Sequence, residues 1–284
     1  MDDFSLFCNM MLKTGSTLQD YILELQSEGR ISFTAEEAST ALGIKHSAFQ
    51  ASAARLQRKR LLFNPRHGFY VVVPPQYLTW EAPPPSWYID DLMRHEGRTY
   101  YVGLLKAAEL HGATHHAVME FQVVTDKQLS KIKAGRSFIV FYFRKTMSAV
   151  LDGLESHKTD TGSMKISSAE LTALDLLRYL HAAGGIDAVA TILKDLGSRL
   201  DANKLAKLAV HFERTTIQRL GYLLDRLGHP NASEPLRNAL LSKSPVPWVQ
   251  LEPMDRKRPA LAESPLEKNE RWRVAVHRHP EIDE

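Results

Sequence analysis

The sequence predicts an α+β protein in two parts: a small N-terminal unit of three helices and a hairpin, then a larger mixed α/β unit rich in helices. Three observations carry this. Apolar residues recur at helical spacing before residue 60 and again between about 169 and 227. Short β-prone runs interrupt both parts, at 61–64, 69–73, 120–125 and 137–143. Between the parts, Pro74-Pro75 and Pro83-Pro84-Pro85 stop helices and central strands alike. The chain has 284 residues, 44% hydrophobic and 24% charged, enough apolar material for two cores and too much for a disordered chain.

The first unit is read over residues 1–75. Leu18, Tyr21, Ile22 and Leu25 fall at i, i+3, i+4 and i+7, so they form one face of a helix that Thr17 can cap and Gly29 can end. Residues 30–34 alternate like a short strand. Thr34-Ala-Glu-Glu37 is a capping box, in which hydroxyl and carboxylate each satisfy a backbone N–H at the start of a second helix. Gly43 gives that helix a left-handed exit. A third helix over 46–60 places Phe49, Ala53 and Leu56 on one face. Pro65-Arg66-His67-Gly68 then joins two β-prone runs as a hairpin.

Helix, strand, helix, glycine turn, helix, hairpin is the order of a winged helix–turn–helix, whose third helix enters the major groove. Charge supports that use. Residues 1–37 hold seven acids and two bases; residues 38–80 hold six bases and no acid. Lys45, His46, Gln50, Ala51, Ala54 and Arg58 would face the groove, with Gln50 suited to an adenine edge. Arg55, Arg58 and Lys59, with Arg66 and His67 at the hairpin tip, would neutralise phosphates. The competing reading is a protein-docking module without DNA selectivity.

Residues 76–85 read as a semi-rigid proline-rich linker, with Trp80, Trp87 and Tyr88 packing it onto the second unit. That unit is read over 86–284. Helices are predicted near 89–94, 102–111, 169–182, 186–196, 203–212 and 215–227, and strands at 120–125, 137–143 and 271–277. Residues 254–269 read as a loop.

The sequence offers no catalytic or cofactor-binding motif. Gly-x-x-x-x-Gly-Lys-Ser/Thr, Gly-x-Gly-x-x-Gly and Gly-x-Ser-x-Gly are all absent. One cysteine, Cys8, excludes a multi-cysteine zinc site and an internal disulfide. His111, His115 and His116 read as a helix end, Asp90-Asp91 as a divergent pair, Asp152 and Glu155 as a solvated helix face, and His277 and His279 as exposed. No enzyme, metal or cofactor is therefore expected. No apolar run reaches the ~18 residues of a membrane span, and Asp2 and Asp3 precede the short apolar run 4–12, so a cytoplasmic protein is expected.

A second basic cluster surrounds the 138–143 run: Lys127, Lys131, Lys133, Arg136, Arg144 and Lys145, with Asp126 the only acid from 121 to 151. It suits nucleic acid or an acidic protein patch. The alternative is a set of solubilising residues flanking a hydrophobic strand.

Taken in order, these pieces resemble the AbiEi antitoxins of bacterial type IV toxin–antitoxin (abortive infection, phage-defence) systems. The resemblance rests on the winged-helix start and on Tyr101-Val-Gly-Leu-Leu-Lys-Ala-Ala-Glu-Leu-His-Gly-Ala113. Supporting it are Ala82-Pro-Pro-Pro-Ser-Trp-Tyr-Ile-Asp-Asp-Leu-Met93, Phe121-Gln-Val-Val-Thr125, Ser168-Ala-Glu-Leu-Thr-Ala-Leu-Asp-Leu-Leu-Arg178 and Asn269-Glu-Arg-Trp-Arg-Val274. It implies an antitoxin and transcriptional autorepressor, nucleoid-associated when on DNA. The winged helix would bind inverted repeats in its own promoter through Lys45, His46, Gln50, Arg55, Arg58 and Arg66. The C-terminal domain would counteract a nucleotidyltransferase-like toxin, with no stable complex required. The second basic cluster is then a candidate antitoxicity surface. The chemistry argues against the toxin itself: a nucleotidyltransferase needs paired metal-binding aspartates, and no Asp-x-Asp occurs in the chain. Residues 1–16 fall outside the resemblance and read as a disordered arm or an upstream start, with Met10 and Met11 as alternatives.

Overall fold

The computed structural model describes residues 16–114, 118–253 and 264–282. Cys8, Met10, Met11, His115, His116 and most of the expected 254–269 loop lie outside the described residues. The chain divides into two compact units. The first comprises the described residues up to Arg98, with Ser130–Ile139 and Lys158–Met164. The second comprises Thr99–Leu129, Val140–His157 and the described residues from Lys165 onward.

The first unit opens with α1 (Leu18–Ser27), β1 (Ser32–Thr34), α2 (Ala35–Leu42), α3 (His46–Arg58), β2 (Leu62–Arg66) and β3 (Phe69–Val72). Both early helices begin with complete capping boxes, Thr17 with Asp20 and Thr34 with Glu37, so the orphan N–H groups are satisfied locally. Gly43 ends α2 at φ 63°, the left-handed region that a side chain disfavours. The strands form an antiparallel sheet in the order β1-β3-β2, with Ser32 opposite Val71 and Leu62 opposite Val72. Its core is aromatic. Phe33 lies edge-on to Tyr21 at 5.5 Å and to Phe49 at 6.4 Å, and Phe49 meets Tyr70 at 5.2 Å. Phe49, Ala53 and Leu56 are buried on the underside of α3, which fixes its opposite face outward.

This unit runs past the expected linker. The prolines order the chain into two short 3₁₀ turns, Pro75–Tyr77 and Pro85–Trp87, and Ala82 and Tyr88 are buried. Helix α4 (Ile89–His95) follows, tied back by the Ser32 hydroxyl donating to Asp91 at 2.5 Å and by His95 against the Phe69 ring at 5.4 Å. Tyr77 meets the Trp80 and Trp87 rings at 6.1 and 5.2 Å. The Trp87 indole donates to Asp160 at 2.7 Å, and Asp160 sits in the 158–164 segment that counts with this unit.

Next come β4 (Tyr100–Val102), α5 (Leu104–Leu110), β5 (Glu120–Thr125), β6 (Ile132–Ala134), β7 (Ser137–Phe143), β8 (Leu154–Thr159) and β9 (Gly162–Ser167). The sheet order is β6-β7-β5-β4-β9-β8; β4 pairs antiparallel with β5 and parallel with β9. The 102–111 stretch, predicted wholly helical, is therefore strand then helix, with the break at Gly103.

Helices α6 (Ala169–Arg178), α7 (Ile186–Leu196), α8 (Ala202–Ala209), α9 (Arg214–Arg226) and α10 (Pro230–Leu241) build the rest of the second unit. Helix α6 is its centre: every residue from Glu170 to Leu177 is buried, as expected for a helix covered on all sides. A last small sheet of β10 (Val249–Gln250), β11 (Glu267–Asn269) and β12 (Val274–Val276) is ordered β10-β12-β11. It is held to α9 by Trp272, whose ring lies flush on Gly221 and whose indole donates to Asp225 at 2.7 Å. No described helix is long and apolar enough to cross a membrane.

Candidate nucleic-acid interface

Lys45 caps α3 with an extended backbone, and His46 begins the helix. His46, Gln50, Ala54 and Arg58 follow at intervals of four and so lie along one face. Arg55 and Lys59 flank that row. Lys45, His46, Gln50, Arg55, Arg58 and Lys59 are all exposed. Their polar contacts are local: the Gln50 amide lies 2.9 Å from the His46 ring nitrogen, and Arg55 donates to the Ser52 hydroxyl at 2.9 Å. Among the described residues, no carboxylate pairs with any of these cations. Arg55 and Arg58 in the last turn also complement the negative end of the helix dipole. The helix thus presents a positive, sterically open face with no internal counter-charge.

The hairpin tip departs from expectation. Arg66 was expected to project toward an anionic partner. Instead its side chain is largely buried, pairs with Glu96 at 3.2 Å and donates to the Ser130 carbonyl at 2.5 Å. Its charge is already compensated inside the unit. His67 is exposed, and its carbonyl accepts from the His95 ring at 3.1 Å.

The second basic cluster divides between the two units. Lys131, Lys133 and Arg136 are exposed and count with the first unit; Lys127 and Lys145 are exposed and count with the second. Arg144 is not on a surface at all. It is 2% exposed, and its guanidinium bonds Asp175 at 2.6 Å and lies 4.5 Å from the Phe212 ring centre.

Arg144 belongs to a closed buried network. Asp175, fully buried in the middle of α6, accepts from Arg144 on one oxygen and from the Tyr101 hydroxyl on the other at 2.6 Å. Arg144 Nε also donates to the Tyr101 oxygen at 3.2 Å. Burial pushes the Asp175 carboxyl up, and the Arg144 charge and the Tyr101 hydrogen bond oppose that rise. Burial and the Asp175 charge hold the Tyr101 hydroxyl well above its usual range and push neighbouring Tyr179 up to about 12. A carboxylate, a guanidinium and a phenol satisfying one another in a dry core tie strands β4 and β7 to α6. Nothing in the spacing of positions 101, 144 and 175 signals this, although Asp175 amid the apolar positions of α6 is the visible oddity.

The other singled-out residues have local partners. His111 ends α5, half-buried, with its ring nitrogen 2.8 Å from the Ser167 carbonyl. Asp90 and Asp91 both bind Arg94, at 2.6 and 2.7 Å. Asp152 lies in a 3₁₀ turn and Glu155 on β8, not on a helix. His277 and His279 are exposed. Among the described residues, no three His, Cys, Asp or Glu side chains are grouped to hold a metal ion.

Comparison with known proteins adds three findings. The crystal structure of the RV2827C protein from Mycobacterium tuberculosis has a similar fold, with TM-score 0.65 over 90% of this chain and 89% of that one, at 15% identity. No curated protein matches the sequence. The AbiEi antitoxin C-terminal domain matches residues 101–226, a span that begins at β4 and ends with α9 and contains the whole Tyr101–Arg144–Asp175 network. The 82–93 and 269–274 pieces of the resemblance fall outside that span. Residues 101–226 therefore carry the chain's likeness to the AbiEi antitoxins.

Proposed function

We propose that this protein is an antitoxin and a transcriptional autorepressor. Its first unit acts as a winged helix–turn–helix that binds inverted repeats in its own promoter, and its second unit counteracts a nucleotidyltransferase-like toxin. The observation that carries the DNA-binding half is the outer face of α3, where Lys45, His46, Gln50, Arg55, Arg58 and Lys59 are exposed and, among the described residues, without acidic partners. A helix whose underside is locked by Phe49 and Ala53 can be pressed into a major groove without rearrangement. Gln50 then reads a base edge, and the arginines and lysines hold phosphates. Inverted repeats would seat two copies by symmetry.

The antitoxic half rests on the match of residues 101–226 to the AbiEi antitoxin C-terminal domain. Lys127 and Lys145 are the members of the second basic cluster that remain exposed in that unit, and they are the candidates for a toxin-facing surface. The fully satisfied Tyr101–Arg144–Asp175 network supports a scaffold role for the domain core rather than chemistry.

The test is binding of the full chain to the duplex upstream of its own gene, against a scrambled duplex, at two salt concentrations. The R55Q/R58Q/K59Q variant serves as control. Selective, salt-sensitive binding that the variant loses is expected. Equal affinity for both duplexes, or undiminished binding by the variant, would refute the reading.

A further inference from the structure

We infer that the tip of the β6–β7 hairpin, residues 131–136, is a second basic arm of the DNA-binding unit and holds the phosphate backbone beside α3. The inference rests on the DNA-binding reading of α3 and adds a contact that the chain order hides, since this hairpin lies some seventy residues beyond α3.

Three observations carry it. The tip is fixed in the first unit. Arg66 donates to the Ser130 carbonyl and hydroxyl at 2.5 and 3.2 Å. Gly135, at φ 62°, sits so close to the Trp80 carbonyl that any Cβ would collide with it, and Arg136 covers the Trp80 ring at 5.7 Å. The strand also alternates: Ile132 and Ala134 are buried, so Lys133 is turned outward. Finally, Lys133 lines one groove of about 440 Å³ with Arg58 and Arg60. The single acid in that groove, Glu81, is taken by Arg60 at 3.2 Å. Arg58 and Lys133 have no carboxylate partner among the described residues, and Lys131 beside them meets only the Phe138 ring, at 5.0 Å.

A groove with surplus positive charge, one wall of which is the end of α3, suits a polyanion that continues past that helix. Duplex DNA is such a polyanion, with a phosphate charge about every 1.7 Å of axis. Arg58 belongs both to the α3 face and to this groove, so one strand's backbone can pass from one to the other.

The experiment compares the full-length wild type, K131Q/K133Q, K131R/K133R and R58Q on the upstream duplex and on a scrambled one, across a salt series. Each neutralised lysine is expected to lower the slope of log K against log salt by about 0.9 and to weaken binding roughly eight-fold at 0.1 M salt. The loss should be equal on both duplexes, and the arginine pair should restore it. Three results would overturn the inference. Unchanged binding by K131Q/K133Q alongside weakened R58Q would leave the α3 reading standing and remove the hairpin. Equal loss in K131R/K133R would mean that shape and not charge was disturbed. A wild type that binds neither duplex would remove both readings.

Discussion

The outer face of α3 and the centre of α6 use charge in opposite ways. On α3 and its caps, six polar or basic side chains from Lys45 to Lys59 stand in solvent, and among the described residues no carboxylate pairs with them. In α6, Asp175 is sealed from water and has a partner on each oxygen. Exposed, unpaired charge adds almost nothing to stability but remains available to a partner. Buried, paired charge cannot reach a partner, and its loss is severe because the remaining ion is stranded in a low-dielectric core. A single count of basic residues hides this division: Arg144 and Arg58 contribute equally to net charge and have unrelated roles.

The largest expected effect comes from breaking the buried side of the contrast. Asp175→Ala should destabilise the second unit by about 3–5 kcal/mol, since it leaves the buried Arg144 charge without its counter-ion. Denaturant unfolding of the full chain, with hydrogen exchange of α6, would measure it. A loss below about 1 kcal/mol would mean the network is solvated after all.

On the exposed side, R55Q/R58Q/K59Q should leave the unfolding midpoint within about 0.5 kcal/mol of wild type. It should lower the salt slope of DNA binding by nearly three, at about 0.9 per phosphate contact. Fluorescence anisotropy against salt reads the second effect and thermal unfolding the first. A variant that loses stability instead would merge the two regions into one structural role. Gln50→Ala sharpens the exposed side further, relaxing preference at one base position by about 1–3 kcal/mol with little change in the salt slope. A uniform loss on every duplex would demote Gln50 to a backbone contact.

The smallest effect concerns an intermediate case. Glu170 is buried at the start of α6, which raises its carboxyl. The Ser168 hydroxyl at 2.7 Å, the Asp201 backbone N–H at 3.0 Å and Lys204 outweigh that and hold it below the usual range. A carboxyl depressed on folding contributes stability above its unfolded value of about 4.3, and that contribution drains away as pH falls through the folded value. Glu170→Gln should therefore be less stable than wild type at neutral pH and lose less on acidification. Parallel acid-unfolding curves would contradict the assignment.

Periodicity and capping made the first three helices and the hairpin after them readable nearly to the residue. Leu18, Tyr21, Ile22 and Leu25 are buried on α1 as their spacing required, and both threonine caps close as written. The large helices of the second unit were legible for the same reason. What escaped depends on pairing between distant segments. Strands β8 and β9 carry too few apolar residues to stand out: in β9 only Met164 and Ile166 are apolar, with exposed Ser163 and Lys165 beside them. Helix α10 opens on Pro230 and contains Pro235, so it reads as broken. Prolines at 74–85 signal a linker, yet the chain there folds into the first unit because Ala82, Tyr88 and the tryptophans supply it with a local core. At the candidate site, the α3 residues were legible because one helix carries them all. The compensation of Arg66 by Glu96 and the burial of Arg144 against Asp175 were not, since each joins residues about thirty positions apart.

The most direct measurement is the affinity of the full chain for its own upstream duplex and for a scrambled duplex at 0.05 and 0.2 M salt, with R55Q/R58Q/K59Q beside it. The account predicts tight binding to the upstream duplex that weakens steeply with salt, and a variant that is equally stable yet binds neither duplex well. Wild type and variant binding alike, or neither discriminating between the duplexes, would contradict it and leave the unpaired face of α3 without a nucleic-acid role.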